Sequence, residues 1–411
     1  MSGDRPILLL LSASRRVIVK ARALGLDVVH VEAPTMSDPG LRELCRESLV
    51  ADLLDVPGIV ELARSLHRRY GFAGVTSNHE PACPAAEAVA RDLGLLAAGT
   101  GVTTLLRDKI ATRARLAGDP DLDSPWAEIR DAGDVPAAAR VVGYPMIIKP
   151  GSGSASLGII RVDGPDDLDE AARQVRRMAR NEHRYHELLP VTRFLAEPLV
   201  AGDEYSVETF SRAGRHEIQA VVRKITSSVS FVELGHLTPA ELDPALRTAV
   251  GDRVRAFLDR VGLREGPAHT EVITGDAGPH VIESHARTGG DGIPELVQLV
   301  SGRDPEAEML AHFAGVRPPA PVPAVARATA KVYLTAAGTG RIRAVDGEAE
   351  ARAVPGVHAV ELYAGPGDQA GPLTASWDRL GALVATAETV AQAWGIAQHA
   401  ASLIKIHLEE A

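Results

Sequence analysis

The sequence predicts a mixed fold, α/β at the N-terminus and α+β beyond it. Three observations carry that expectation. Through residues 1–100, strand-length apolar runs alternate with stretches of helical periodicity, the order expected of a parallel sheet. Further along, candidate strands follow one another across short glycine-containing turns, as in an antiparallel arrangement. The composition, 45% hydrophobic and 24% charged, belongs to an ordinary globular chain.

Taken in order, Ile7–Leu11 reads as a buried strand and 15–25 as a helix closing at Gly25. Val28–Glu32 is a second strand, 57–70 a helix, Phe72–Ser77 a third strand and 81–93 a helix. The middle of the chain holds a short helix, the strand Met146–Lys149, the loop GSGSASLG (151–158) and the strand Ile159–Val162. Phe194–Leu199 and Glu204–Phe210 read as two strands joined by the turn Ala201-Gly202-Asp203, making a small α+β module inserted in a larger body. Helix 244–262 precedes strands 268–274 and 280–285, joined by a Gly-Asp-Ala-Gly turn. RPPAPVPA (317–324) reads as a stiff, extended linker, and 325–411 as short strands with a closing helix 388–398. The expected domains are therefore 1–100, 101–320 with a lid at about 136–208, and 321–411.

Composition also excludes. A net charge of −10 argues against a nucleic-acid partner, which would call for a basic face. The two cysteines, Cys45 and Cys83, form no CxxC pair and fit a reducing compartment rather than a disulfide framework. No apolar run approaches the roughly 20 residues that span a bilayer. The opening residues have too short an apolar run for a signal peptide. The expectation is a cytoplasmic protein without a membrane partner.

Three stretches carry chemistry. In YPMIIKPGSGSASLG a strand delivers Lys149, and seven of the next nine residues are Gly, Ser or Ala. Small residues let backbone N–H groups approach phosphate oxygens while the lysine supplies charge. The stretch is no Walker A loop, and the competing interpretation is a solvated turn. FLAEPLVAGDEYSVETF places Glu197 and Glu204 around a turn, where carboxylates could meet an adenine amino group and ribose hydroxyls. Two acids near a turn are otherwise ordinary surface. HTEVIT and VIESHAR align Glu271 with Glu283 in a hairpin, a pair of hard oxygen donors suited to Mg²⁺. Arg287 follows to meet charge on a transferring phosphoryl group. Ordinary cross-strand charge pairing is the alternative. The apolar run before Glu283 and the Gly-Gly step after Arg287 count against it.

In this order, Lys109, Lys149, the Gly/Ser loop, Glu197, Glu204, Glu271, Glu283 and Arg287 resemble the ATP-grasp superfamily. SFVELGHLTPAEL (230–242), GPAHTEV (266–272) and VIESHARTGGDGIPELV are most similar to its L-amino-acid ligases, the bacilysin-type and carnosine-synthase-like dipeptide synthetases. The resemblance implies an ATP-grasp fold with an N-terminal parallel α/β domain, an inserted lid and a C-terminal α+β region. It implies Lys109, Lys149 and Leu199 on the nucleotide, a phosphate flap of Ser152, Ser154, Ala155 and Ser156, Glu197 at the adenine, and Glu204 at the ribose. Glu271 and Glu283 would hold two Mg²⁺ ions. Arg287, Gly289 and Gly290 would meet the acyl phosphate or substrate carboxylate. Glu233 and His236 would face the amino-acid substrate, and Asp291 would tune its size. A homodimer built on 1–100 is also implied.

His285 departs from the pattern, which has asparagine as a ligand of the second metal. Imidazole is a poor Mg²⁺ ligand. Weak or water-mediated coordination, a preference for Mn²⁺, or a hydrogen bond to phosphate each accommodate it. The conservative expectation is a tolerated variant, with the metals held by Glu271 and Glu283. The implied activity is ATP-dependent ligation of two amino acids through an acyl phosphate, releasing ADP and phosphate. The rivals are a carboxylase or purine-pathway ATP-grasp enzyme and an inactive ATP-binding protein.

Overall fold

The computed structural model describes residues 5–34, 38–182 and 191–409. Its first sheet is parallel throughout, in the spatial order Glu47–Val50, Asp27–Glu32, Ile7–Leu11, Phe72–Thr76. The five-residue run at 7–11 is apolar at every position because both faces are covered. Ile7, Leu9 and Leu11 pack under the helices Val56–Tyr70 and Cys83–Asp92. Leu8 and Leu10 pack against Arg15–Ala23 and the later helix Pro305–Phe313. That later helix presses close: a Cβ at Gly74 would stand 2.0 Å from the Phe313 carbonyl oxygen.

The body is an eight-stranded antiparallel sheet. Its order is Gly278–His285, Gly266–Gly275, Asp203–Arg212, Arg215–Thr226, Glu233–Thr238, Ala328–Leu334, Gly381–Ala387, Val357–Leu362. Helix Pro244–Val261 covers one face, capped by Asp243, which accepts from the Ala245 and Leu246 N–H groups at 3.0 Å each. Its Val250, Val254, Phe257 and Leu258 bury Tyr205, Val207, Ala268 and Val272. The segment 317–324 is exposed and lacks regular structure. The strands after it continue the same sheet, which ties the C-terminal region to the body.

A separate four-stranded sheet, Ala127–Ile129, Phe194–Pro198, Met146–Pro150 and Ile160–Val162, forms the inserted unit, with helices Val135–Val142 and Leu168–Ala179 on it. Here the sequence expectation needs correcting. Glu197 and Glu204 are not on paired strands: the chain leaves the inserted sheet after Pro198 and enters the body at Asp203. The reason is the alternation in Glu204–Glu208, whose Tyr205 and Val207 need the helix Pro244–Val261 for burial. The inserted sheet thus draws on 127–198, where 136–208 was expected; 183–190 lie outside the described residues. The closing helix runs Val390–Leu403, longer than the expected 388–398.

Candidate active site

The floor of the site follows from strand alternation. With Tyr205 and Val207 turned to the helix, Glu204, Ser206 and Glu208 face the other way. Pairing then lines up polar positions in rows across the sheet. Glu204, Lys224, His236 and Lys331 oppose one another on four successive strands. Glu208 opposes His269, which opposes His285, and Glu271 opposes Glu283 as the hairpin predicted.

A cavity of about 760 Å³ lies over this floor, within the size range of small-molecule sites. Of the residues singled out from the sequence, all but Ser152 and Gly289 line it. Ser152 is exposed. Gly289 packs on the floor, where a Cβ would stand 3.0 Å from Glu208 Oε2 and 3.1 Å from His269 Nδ1. Gly290, by contrast, opens on free space, with the nearest atom to a Cβ being Arg287 Nη1 at 4.0 Å.

Charges in the cavity are tightly paired. Lys149 contacts Glu197, and Arg113 donates to the same carboxylate from Nε at 2.8 Å. Burial alone would raise Glu197, but Arg113 and Lys149 outweigh it and hold the carboxyl at about 2. Lys109 bridges Glu283 Oε2, at 2.9 Å, and the flap carbonyl of Gly153, at 3.1 Å. Against the cost of burial, Lys109 and then His285 hold Glu283 well below the usual carboxylate range. Lys224 lies 2.5 Å from Glu204, 2.6 Å from Glu271 and 3.4 Å from Glu233. Glu271 is buried, which would raise it, yet the Lys224 ammonium brings it to about 2. Glu204 moves up, because burial and the Glu271 charge together exceed the pull of Lys224. His269, bonded to Glu208 at 2.7 Å, is lifted to about 9 despite its burial.

His285 has a carboxylate at each ring nitrogen, Glu283 Oε1 at 3.1 Å and Glu80 Oε2 at 3.2 Å. Glu80 also accepts from Arg287 Nη2 at 3.1 Å, so the N-terminal unit anchors both residues. Asp291 is held by both terminal guanidinium nitrogens of Arg379, at 2.7 and 2.8 Å, and faces His236 at 3.3 Å. Burial opposes its charge, but His236 and Arg379 keep it well below the usual range. The Arg379 guanidinium lies 3.8 Å over the Tyr333 ring.

Arg113, Lys224, Glu80, His269, Ser376, Trp377 and Arg379 were not found from the sequence. Arg113 carried a usable signal, four residues after Lys109 on one helix and therefore on the same face. The rest depend on pairings between distant strands and loops.

Three family descriptions match successive parts of the chain: ATP-grasp N-terminal domain over 18–95, ATP-grasp domain over 142–295, and L-amino acid ligase C-terminal domain 2 over 332–409. A D-alanine–D-alanine ligase of Halorhodospira halophila is 30% identical over 230 residues, 51% of this chain and 71% of that protein. The chain belongs to the ATP-grasp family. The fold and enzyme class implied by the motif resemblance are thereby borne out. Among its ATP-grasp relatives, an alanine–anticapsin ligase of Bacillus subtilis is 24% identical over 261 residues, 60% of this chain and 55% of that protein, so the match spans about half of that relative. The crystal structure of the L-amino acid ligase from Bacillus licheniformis superposes with a TM-score of 0.85 at 22% identity, covering 99% of this chain and 100% of that one, a likeness of fold. Among the described residues no helix is long and apolar enough to cross a membrane.

Proposed function

We propose that this ATP-grasp protein joins two amino acids, or an amino acid and a related carboxylate, into an amide at the expense of ATP. The observation that carries this is the single cavity that gathers Lys109, Lys149 and the Gly/Ser flap with Glu233, His236, Arg287 and Asp291. A nucleotide-binding protein would need only the first set. A substrate carboxylate oxygen attacks the γ-phosphorus, ADP leaves, and the second amine attacks the acyl carbon with loss of phosphate. Lys109 and Lys149 hold phosphate oxygens, Glu197, Leu199 and Glu204 hold the nucleoside, and Arg287, steadied by Glu80, meets charge growing on the phosphoryl group. Glu233 or His236 holds the incoming ammonium and takes its proton. The flap keeps water from the acyl phosphate.

Glu271 and Glu283 fit Mg²⁺ by donor chemistry: two carboxylates opposed on neighbouring strands, both kept ionised. Among the described residues no group of three or more candidate ligands stands gathered around one point, the acids being held here by Lys224 and Lys109. When bound, one or two such ions would neutralise phosphate charge. His285 is best placed as an orienting partner of Glu283 rather than a ligand, since both its nitrogens already face carboxylates. The homodimer through the N-terminal unit belongs to the same proposal and is read by sedimentation.

The deciding experiment is a screen of amino-acid pairs for ADP and phosphate release, with the product identified by mass spectrometry. Amide formation with one ADP per bond is expected. AMP and pyrophosphate as products would overturn the acyl-phosphate route. Bicarbonate-dependent turnover without an amine would favour a carboxylase, and ATP binding without turnover a non-catalytic protein.

A further inference from the structure

Three loops from different parts of the fold meet over the cavity: the flap 151–158, the turn 227–232 between two body strands, and the segment 374–379 of the C-terminal region. Ser376 sits at their junction and makes two bonds of different kinds. Its backbone N–H donates to the flap carbonyl of Ala155 at 3.0 Å, and its hydroxyl donates to Glu233 Oε2 at 2.8 Å. The next flap residue, Ser156, donates its hydroxyl to the Phe231 carbonyl at 3.1 Å. Ala155, Ser156 and Phe231 all have left-handed backbone, with φ of 63°, 55° and 59°. Residues with side chains adopt that conformation only when their surroundings hold them there. The contacts on Ala155 and Phe231 are thus part of what sets the flap.

We propose that Ser376 is a positioning residue that couples the two halves of the site. Its N–H latches the flap over the nucleotide, and its hydroxyl orients Glu233 toward the amino-acid substrate. Glu233 has cations nearby, Lys224 at 3.4 Å and Arg379 at 4.0 Å, but the Ser376 hydroxyl is its shortest contact and the one that fixes its direction. The two bonds leave one residue, so the flap carbonyl and the substrate-facing acid share a single anchor. The role of Glu233 rests on the proposed ligase activity; the latch does not.

Two substitutions separate the bonds. Ser376→Ala removes the hydroxyl and keeps the N–H. Ser376→Pro removes both, at a position that suits proline: it opens the helical turn Ser376–Asp378 and follows an extended residue, Ala375 at φ −151° and ψ 163°. For Ser376→Ala the KM for the amino acid should rise about tenfold, the worth of one hydrogen bond to a charged group, with the KM for ATP little changed. Ser376→Thr should restore it. Ser376→Pro should in addition weaken binding of a non-hydrolysable ATP analogue and release more phosphate than amide formed, because water reaches the acyl phosphate. Equal effects of Ser376→Ala on both substrates, or a Ser376→Pro that matches Ser376→Ala in every readout, would overturn the coupling. The latch has a check that needs no proline. Hydrogen exchange at the Ser376 amide should slow on adding the ATP analogue, and an unchanged rate removes it. A wild-type protein with no amino-acid-dependent turnover would sink the ligase activity, while analogue affinity and amide exchange would still decide the latch.

Discussion

At the centre of the cavity floor one ammonium faces three carboxylates, Lys224 against Glu204, Glu271 and Glu233. All four side chains are largely buried, so repulsion among the acids would be poorly screened without it. Lys224→Met keeps most of the length of the side chain and removes the charge. Turnover should fall by about 10²-fold or more, the loss typical of a preorganised charge in a dry site. A variant that keeps wild-type ADP release would show that the lysine serves folding alone. His285 is tested at the same scale. If the metals rest on Glu271 and Glu283, His285→Asn should leave the ratio of Mg²⁺- to Mn²⁺-supported rates unchanged. A shift of that ratio would show that the side chain at position 285 reaches the metal.

At the scale of elements, legibility followed the strength of the local pattern. The run Ile7–Leu11 and the hairpin through Glu271 and Glu283 were readable because one is wholly apolar and the other turns tightly on a Gly-Asp-Ala-Gly segment. Arg215–Thr226 was not: its polar residues at 215–217 and 219 and the register shift between Ile218 and Ala220 blur the alternation, and Lys224 was hidden with it. Glu197 and Glu204 both line the cavity but do not sit on paired strands, and seven residues of sequence separation cannot show that the chain changes sheets between them. Arg113 is one of the side chains that join those two sheets. It donates to Glu197 on the inserted sheet and to the carbonyls of Val281, at 3.1 Å, and Ile282, at 3.3 Å, on the body. Arg113→Met would leave a buried carboxylate short of a partner and two carbonyls bare, at a cost of roughly 3–5 kcal/mol. Urea denaturation reads it, and hydrogen exchange in Phe194–Pro198 should quicken first. Unchanged stability would mean that Lys149 alone satisfies Glu197.

Over the whole molecule, the buried charge network makes folding depend on pH from both sides. Glu197 has an ordinary value of 4.5 and sits at about 2 when folded, so its contribution is complete above 4.5 and lost as pH falls from there toward 2. Glu271, also held at about 2, adds to the same acid arm. His269 works in the opposite sense. Raised from 6.5 to about 9, it contributes fully below 6.5, and that contribution is lost as pH rises through 9. The body sheet runs unbroken from Gly278–His285 to the C-terminal strands, so loosening at the cavity floor should spread through the sheet rather than stay local. Melting temperature against pH should therefore form a plateau with an acid and an alkaline shoulder. Glu197→Gln cannot titrate, so the wild type should lose its stability advantage over this variant between pH 4.5 and 2. His269→Gln should lower the plateau and flatten the alkaline shoulder between 6.5 and 9. A Glu197→Gln protein whose melting temperature tracks the wild type at a constant offset through the acid range would show that the Arg113–Glu197–Lys149 cluster does not drive the acid transition.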